Sequence, residues 1–103
     1  MSDNHFISVS RAGVLLARPK GGAPVAIATR EGGLATPSPL GPLRVFFDRS
    51  GANRHVHVIA VEVDGERLDV DAFLARPGAT AEDLGRWMRA AVDAAVAAAQ
   101  AGD

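Results

Sequence analysis

The residues of this chain whose types and spacing could support chemistry are concentrated in one stretch, HVHVIAVEVDGERLDVDAF, at positions 55–73. His55 and His57 are two residues apart, and this spacing places both imidazoles on one face of a β-strand. Imidazole nitrogens are common ligands of divalent transition metals. The pair His55 and His57 is therefore the candidate metal site of the sequence.

The spacing Gly51-x3-His55-x-His57-x4-Glu62 resembles the first motif of the cupin family, in which two histidines and a glutamate hold a metal inside a small β-barrel. The resemblance implies that His55 and His57 are metal ligands. In a regular strand, however, Glu62 points to the face opposite the histidines, and only a β-bulge would place it on the same face as them. The chain also has no histidine after His57 that could serve as the ligand of the second cupin motif.

The dipeptide Asp64-Gly65 predicts a two-residue hairpin turn, because both residues can adopt the positive φ that such turns require. This turn sets a register in which Glu62 lies opposite Arg67. Alternation along the two strands then puts His55 and His57 on the more apolar face, toward the core. The opposite face is more polar and should be solvent-exposed, and it carries Glu62, Arg67, Asp69 and Asp71.

The carboxylates of this hairpin have two interpretations. As a group they could perform acid–base chemistry or bind a hard cation. Alternatively, they form a solvated strand face whose charges prevent edge-to-edge association. Arg67 lies among them and would compete with a bound cation. The four carboxylates belong to Glu62, Asp64, Asp69 and Asp71.

The composition excludes several classes of function. Eleven Lys and Arg residues stand against 12 Asp and Glu, so no excess of positive charge favours nucleic acid or an anionic membrane surface. The absence of cysteine excludes disulfides, thiolate metal sites and thiol nucleophiles. The amino terminus lacks the pattern of a signal peptide, so we expect a cytoplasmic protein, and no motif calls for a cofactor.

The remaining segments predict a strand-rich domain that ends in a helix. Apolar or alternating segments predict strands at 5–10, 13–18, 23–29 and 43–48, and the Asp-Gly hairpin adds two more. The segment EGGLATPSPLGP has Gly or Pro at six positions, which predicts a long surface loop at 31–42.

A helix is predicted at the carboxyl end. Thr80 is the expected N-cap, and two acidic residues follow in the first turn, where the helix dipole favours negative charge. Trp87 and Met88 lie on the apolar side and should pack against the sheet. Alanines line the outer side of the helix and could admit a second helix: Ala90, Ala94 and Ala97.

Together these elements predict an α+β fold in a single domain over 1–103, strand-rich at 5–75 and helical at 80–101. We expect an antiparallel sheet or small open barrel of about six strands, with one long C-terminal helix packed against it. The order of elements resembles the pleckstrin-homology-like architecture, a strand-rich barrel capped by a C-terminal helix.

The leading functional hypothesis is a small non-enzymatic module for protein–protein contact or assembly. Its partner-binding candidates are the loop residues Leu34 and Leu40 and the hairpin residues Glu62, Arg67, Asp69 and Asp71. One alternative is a cupin-like protein that binds a metal or small molecule through His55 and His57. Another is an immunity or inhibitor protein that presents its acidic strand face to a basic partner. The abundance of alanine and arginine indicates a bacterial or phage origin.

Overall fold

The computed structural model describes residues 6–19, 22–50 and 56–101. Within them the chain forms two antiparallel sheets and two helices. The first sheet has the order β1 (Phe6–Val9), β2 (Val14–Arg18), β3 (Val25–Thr29). The second has the order β4 (Leu34–Thr36), β5 (Leu43–Arg49), β6 (Val56–Val63), β7 (Glu66–Asp69). The helices are α1 (Val70–Leu74) and α2 (Ala81–Ala101).

The predicted α+β class with a long C-terminal helix is confirmed, although the described strands number seven and form no closed barrel. The core lies between the two sheets and α2. One part of it joins both sheets to the second half of the helix through Leu15 of β2, Phe47 of β5 and Val92. The other joins the second sheet to the start of the helix through Val45, Val61 and Leu84. The helix therefore covers the inner faces of both sheets.

The start of α2 follows the local signals in the sequence. The backbone N–H of Asp83 donates a hydrogen bond of 3.0 Å to the hydroxyl of Thr80, as expected of an N-cap residue. Leu84 and Val92 are buried, and Trp87 and Met88 pack half-buried against the core. The predicted helix is thus confirmed.

The Asp64-Gly65 hairpin also forms as predicted. Asp64 has a φ of 53° and Gly65 a φ of 80°, both in the left-handed region that this turn requires. The register pairs Glu62 with Arg67, and three further pairs agree with the prediction.

The chain leaves the sheet earlier than the hairpin pattern predicts, because β7 ends at Asp69 and α1 begins at Val70. Asp69 is the residue before the helix and Asp71 lies in its first turn, where carboxylates favour helix formation. Phe73 of α1 is fully buried against the second sheet, and its burial holds the short helix in place. The prediction that Asp71 lies on the strand face is therefore wrong.

The segment predicted as a loop at 31–42 contains the edge strand β4. Gly33 precedes it with a φ of 73°, and a Cβ at this position would lie 2.8 Å from Cγ of Arg44. Glycine is required here because the backbone passes this close to β5. Leu34 is 3% exposed and belongs to the core, and Leu40 is half-buried against it.

Candidate functional site

A β-bulge in β6 decides which side chains of the central hairpin are exposed. Phe46 pairs with Ala60 and Phe47 with Val58, so Ile59 is an extra residue without a partner in β5. The extra residue inverts the alternation of side chains in the first half of β6. Val58 consequently packs against the core together with Val61, although regular alternation would place them on opposite faces.

The prediction that His57 lies on the core side is therefore wrong. His57 is exposed and pairs with Asp48 of β5. The bulge brings it to the same face of the sheet as Glu62, with Ala60 between them in the register. This face, which we call the outer face, lies opposite α2. Its residues are Arg44, Phe46, Asp48, His57, Ala60, Glu62, Arg67 and Asp69.

Asp48 is the most strongly bonded carboxylate of the outer face. Its Oδ1 accepts a hydrogen bond of 2.7 Å from the backbone N–H of Arg49 and another of 2.9 Å from Nη1 of Arg30. These bonds, together with the positive charges of Arg30 and His57, hold the pKa of Asp48 below its ordinary value of 3.8. Asp48 is therefore an ionised, fixed acceptor at neutral pH.

Arg44 and Arg67 fix the remaining part of the outer face. Arg44 Nε lies 3.8 Å from Oε1 of Glu62, and Arg44 Nη1 donates a hydrogen bond of 2.7 Å to the carbonyl of Gly32. Arg67 lies opposite Glu62, as the register predicts, and its guanidinium stacks 4.3 Å above the ring centroid of Phe46. Phe46 is only 6% exposed, because it is enclosed on the outer face. The outer face is thus a rigid surface of alternating charges around an aromatic ring.

The structure tests the geometry of the cupin-like interpretation only in part. The bulge does bring Glu62 to the face of His57, but Ala60 separates the two in the register. Within the ranges 6–19, 22–50 and 56–101, no three His, Asp or Glu side chains form a group that could hold a metal ion. Gly51 and His55 lie outside the described residues.

The sequence identified part of the outer face and missed the rest. Of its partner-binding candidates, Glu62, Arg67 and Asp69 lie on the outer face, Asp71 lies on α1, and the leucines lie in or against the core. The missed residues are three side chains of β5 and Ala60 of β6, and His57 was assigned to the core side. Strict alternation along LRVFFDR would have revealed those of β5, since they occupy every second position: Arg44, Phe46 and Asp48.

Two cavities lie away from the outer face. The first, of about 240 Å³, is apolar and lies between α2 and the strands β1, β2 and β6. Its lining includes Ile7, Val58, Met88 and Val92, with Gly85 at its helix side. The second, of about 260 Å³, has a mixed polar and apolar lining and lies where β1, β2 and the end of β5 meet.

Comparisons of the chain with protein family models, with curated proteins and with solved structures gave no match. In the described part of the chain, neither helix combines the length and the apolar character needed to cross a membrane.

Proposed function

We propose that this protein is a small non-enzymatic assembly module that associates with a second copy of itself through the outer face of the four-stranded sheet. The observation that supports this proposal is the arrangement of charge on that face. Cations and anions alternate across three neighbouring strands, and these charged side chains are exposed or half-buried.

A surface of this kind is complementary to itself. In a two-fold symmetric dimer each patch meets the same patch of the partner, so one surface must present both signs of charge. The guanidinium groups of Arg44 and Arg67 and the carboxylates of Asp48 and Glu62 meet this requirement. Electrostatic complementarity of this type selects the partner and the orientation more than it supplies affinity.

The centre of the outer face has the composition of an interface. Aromatic and arginine side chains are enriched among residues that dominate binding energy. Here the Arg67 guanidinium already lies over the Phe46 ring, so little side-chain freedom is lost when a partner docks on it. The Phe46 ring holds the guanidinium in place, and an acidic side chain of the partner can pair with the outer edge of that guanidinium.

The expected dimer is weak. Strands lie about 4.8 Å apart and rise about 3.3 Å per residue, so the outer face measures roughly 15 Å by 25 Å. Stable interfaces bury about 800 Å² on each partner. The outer face is smaller than this, and we therefore expect association that depends strongly on protein concentration and weakens as salt screens the exposed charges.

Sedimentation velocity across a range from micromolar to millimolar protein tests the proposal. We expect a monomer at the lowest concentrations and a dimer at the highest, with the dimer fraction falling as salt is raised. A chain that stays monomeric at every concentration in low salt contradicts the proposal.

Two opposite charge reversals identify the interface. Glu62→Arg and Arg67→Glu each unbalance the outer face, so each variant alone should lose the dimer, and an equal mixture of the two should regain it. The double variant Glu62→Arg/Arg67→Glu keeps opposite charges directly across the hairpin and controls for effects on sheet stability. Its thermal midpoint measures how much stability the sheet itself loses, because the double variant also gives up the Arg44–Glu62 contact and the stacking of Arg67 on Phe46.

The outer side of α2 provides the matched control. Ala94 is exposed on α2, which packs on the side of the sheet opposite the outer face. Ala94→Glu adds one charge to this second surface and should leave dimer formation unchanged. If Ala94→Glu loses the dimer and the two charge reversals have no effect on it, the interface lies on the helix. That result would overturn the proposed interface on the outer face.

A further inference from the structure

The cavity at the junction of the two sheets is lined by polar side chains that are typical of an anion-binding site. Its volume is about 260 Å³, and it is lined by Ser8, Val9, Ser10, Arg11, Leu16 and Arg49. Ser8 belongs to β1 and Ser10 follows directly after its end, and both line the cleft. Arg11 follows them directly, and Arg49 comes from the end of β5. Two cations from different parts of the chain thus converge on one cleft.

Arg49 provides a hydrogen-bond donor that the described residues leave unused. Its Nε is buried and has no hydrogen-bond acceptor among them. A buried donor on a charged group without an acceptor lowers the stability of the fold. An oxygen atom of a ligand in the cleft would satisfy it, and the planar guanidinium can bind two oxygens of one oxyanion at once.

The hydroxyl groups add to the same donor set. Ser10 Oγ accepts a hydrogen bond of 3.1 Å from the backbone N–H of Val14. This contact uses a lone pair of the oxygen and leaves the hydroxyl proton available for a ligand. Ser8 of β1, two residues earlier in the chain, also lines the cleft.

Among the described residues, no acidic side chain lines this cleft to neutralise its cations. Asp48 is the neighbour of Arg49 in sequence, but its carboxylate binds Arg30 and the Arg49 backbone N–H. Alternation along β5 also turns Asp48 to the outer face, away from the Arg49 side chain. The cleft is therefore locally positive although the chain carries a net charge of −1.

We propose that this cleft binds a phosphate group, carried on a small organic substituent or free. Two guanidinium groups and two hydroxyls match the oxygens of a tetrahedral dianion. The volume of the cleft leaves room beside the phosphate for a substituent, which the apolar side chains of Val9 and Leu16 would contact. This proposal is independent of the outer face and of self-association.

Calorimetric titration with inorganic phosphate and with phenyl phosphate, at low salt and constant ionic strength, tests the proposal. We expect binding of both, and tighter binding of phenyl phosphate shows that the ligand is a monoester. Equal affinity shows that the phosphate alone is recognised. Absence of binding by both compounds overturns the proposal.

Three arginine variants connect the binding to the cleft. Arg49→Gln should weaken phosphate binding by about tenfold or more, because it removes a charged hydrogen-bond donor. Arg11→Gln should weaken it in the same direction but less, since Arg11 is exposed. Arg18→Gln is the matched control, because Arg18 is an exposed arginine of β2 that does not line the cleft. Unchanged affinity in both Arg49→Gln and Arg11→Gln overturns the assignment.

Thermal unfolding separates binding from folding. Saturating phosphate should raise the midpoint of the unmodified protein, because a ligand that binds only the folded state stabilises it. Without phosphate, Arg49→Gln should unfold at the same or a higher temperature, since it removes an unsatisfied buried donor. If Arg49→Gln unfolds at a lower temperature without phosphate but keeps its affinity for phosphate, Arg49 has a structural role. That result would overturn its assignment as a phosphate ligand.

Discussion

Asp48 lies directly opposite His57 in the pairing of β5 with β6, and both side chains belong to the exposed face of the four-stranded sheet. The bulge at Ile59 produces this relationship, because it turns His57 away from the core and toward Asp48. One extra residue in β6 thus places a histidine in an exposed network of ionic groups.

The first prediction concerns the pH dependence of stability. The pKa of Asp48 is lowered in the folded state, so its carboxylate stabilises the fold above the ordinary value of 3.8. This contribution is lost as the pH falls from that value through the lower pKa of the folded state. Asp48→Asn should therefore reduce stability at neutral pH and flatten its decline in acid. Urea unfolding across acidic and neutral pH measures both effects, with the exposed Glu31→Gln as control.

The second prediction compares two glycines that both have positive φ. Gly65→Ala meets open space and should cost about 1 kcal/mol for its backbone conformation alone. Gly33→Ala adds a clash with Arg44 Cγ and the carbonyl of Val45, so it should cost about 3 kcal/mol. Chemical denaturation of the two variants measures the difference. Equal losses would show that β4 does not approach β5 this closely.

The third prediction is a stabilising change in α2. Gly85 is a helical residue, and a Cβ added there would meet nothing within 4 Å. Gly85→Ala should stabilise the protein by about 0.8 kcal/mol, because alanine loses less backbone entropy in a helix. Differential scanning calorimetry should show a midpoint higher by roughly 3–6 °C for a domain of this size. A lower midpoint would mean that the space beside Gly85 is filled.

The fourth prediction tests the cupin-like alternative. We expect protein purified without a nickel column to contain no stoichiometric transition metal and to keep its thermal midpoint in chelator. In the described residues, His57 faces Asp48, whose carboxylate already binds Arg30. Elemental analysis decides the matter. A stoichiometric metal that disappears in His57→Ala would favour a metal-binding function over the proposed assembly module.

Local signals in the sequence predicted those elements whose conformation depends on neighbouring residues. The Asp64-Gly65 turn can be recognised because its two residues tolerate positive φ, and it fixes the pairing of Glu62 with Arg67. The start of α2 can be recognised because Thr80 satisfies a free backbone N–H. Alternation along β5 would also have identified three of the eight residues of the outer face: Arg44, Phe46 and Asp48.

The remaining features depend on contacts between segments that are distant in sequence. The bulge at Ile59 is a mismatch between β5 and β6, so it cannot be read from either strand alone. Leu34 was predicted within a loop, but pairing with Val45 and burial in the core make it part of β4. The convergence of Arg11 and Arg49 likewise arises only when the two sheets pack together. The sequence by itself determined the Asp64-Gly65 turn, the helix α2 and its N-cap Thr80. The tertiary structure decided which face His57 occupies and which charged side chains meet. The reason is that strand register and packing depend on segments far apart in the chain.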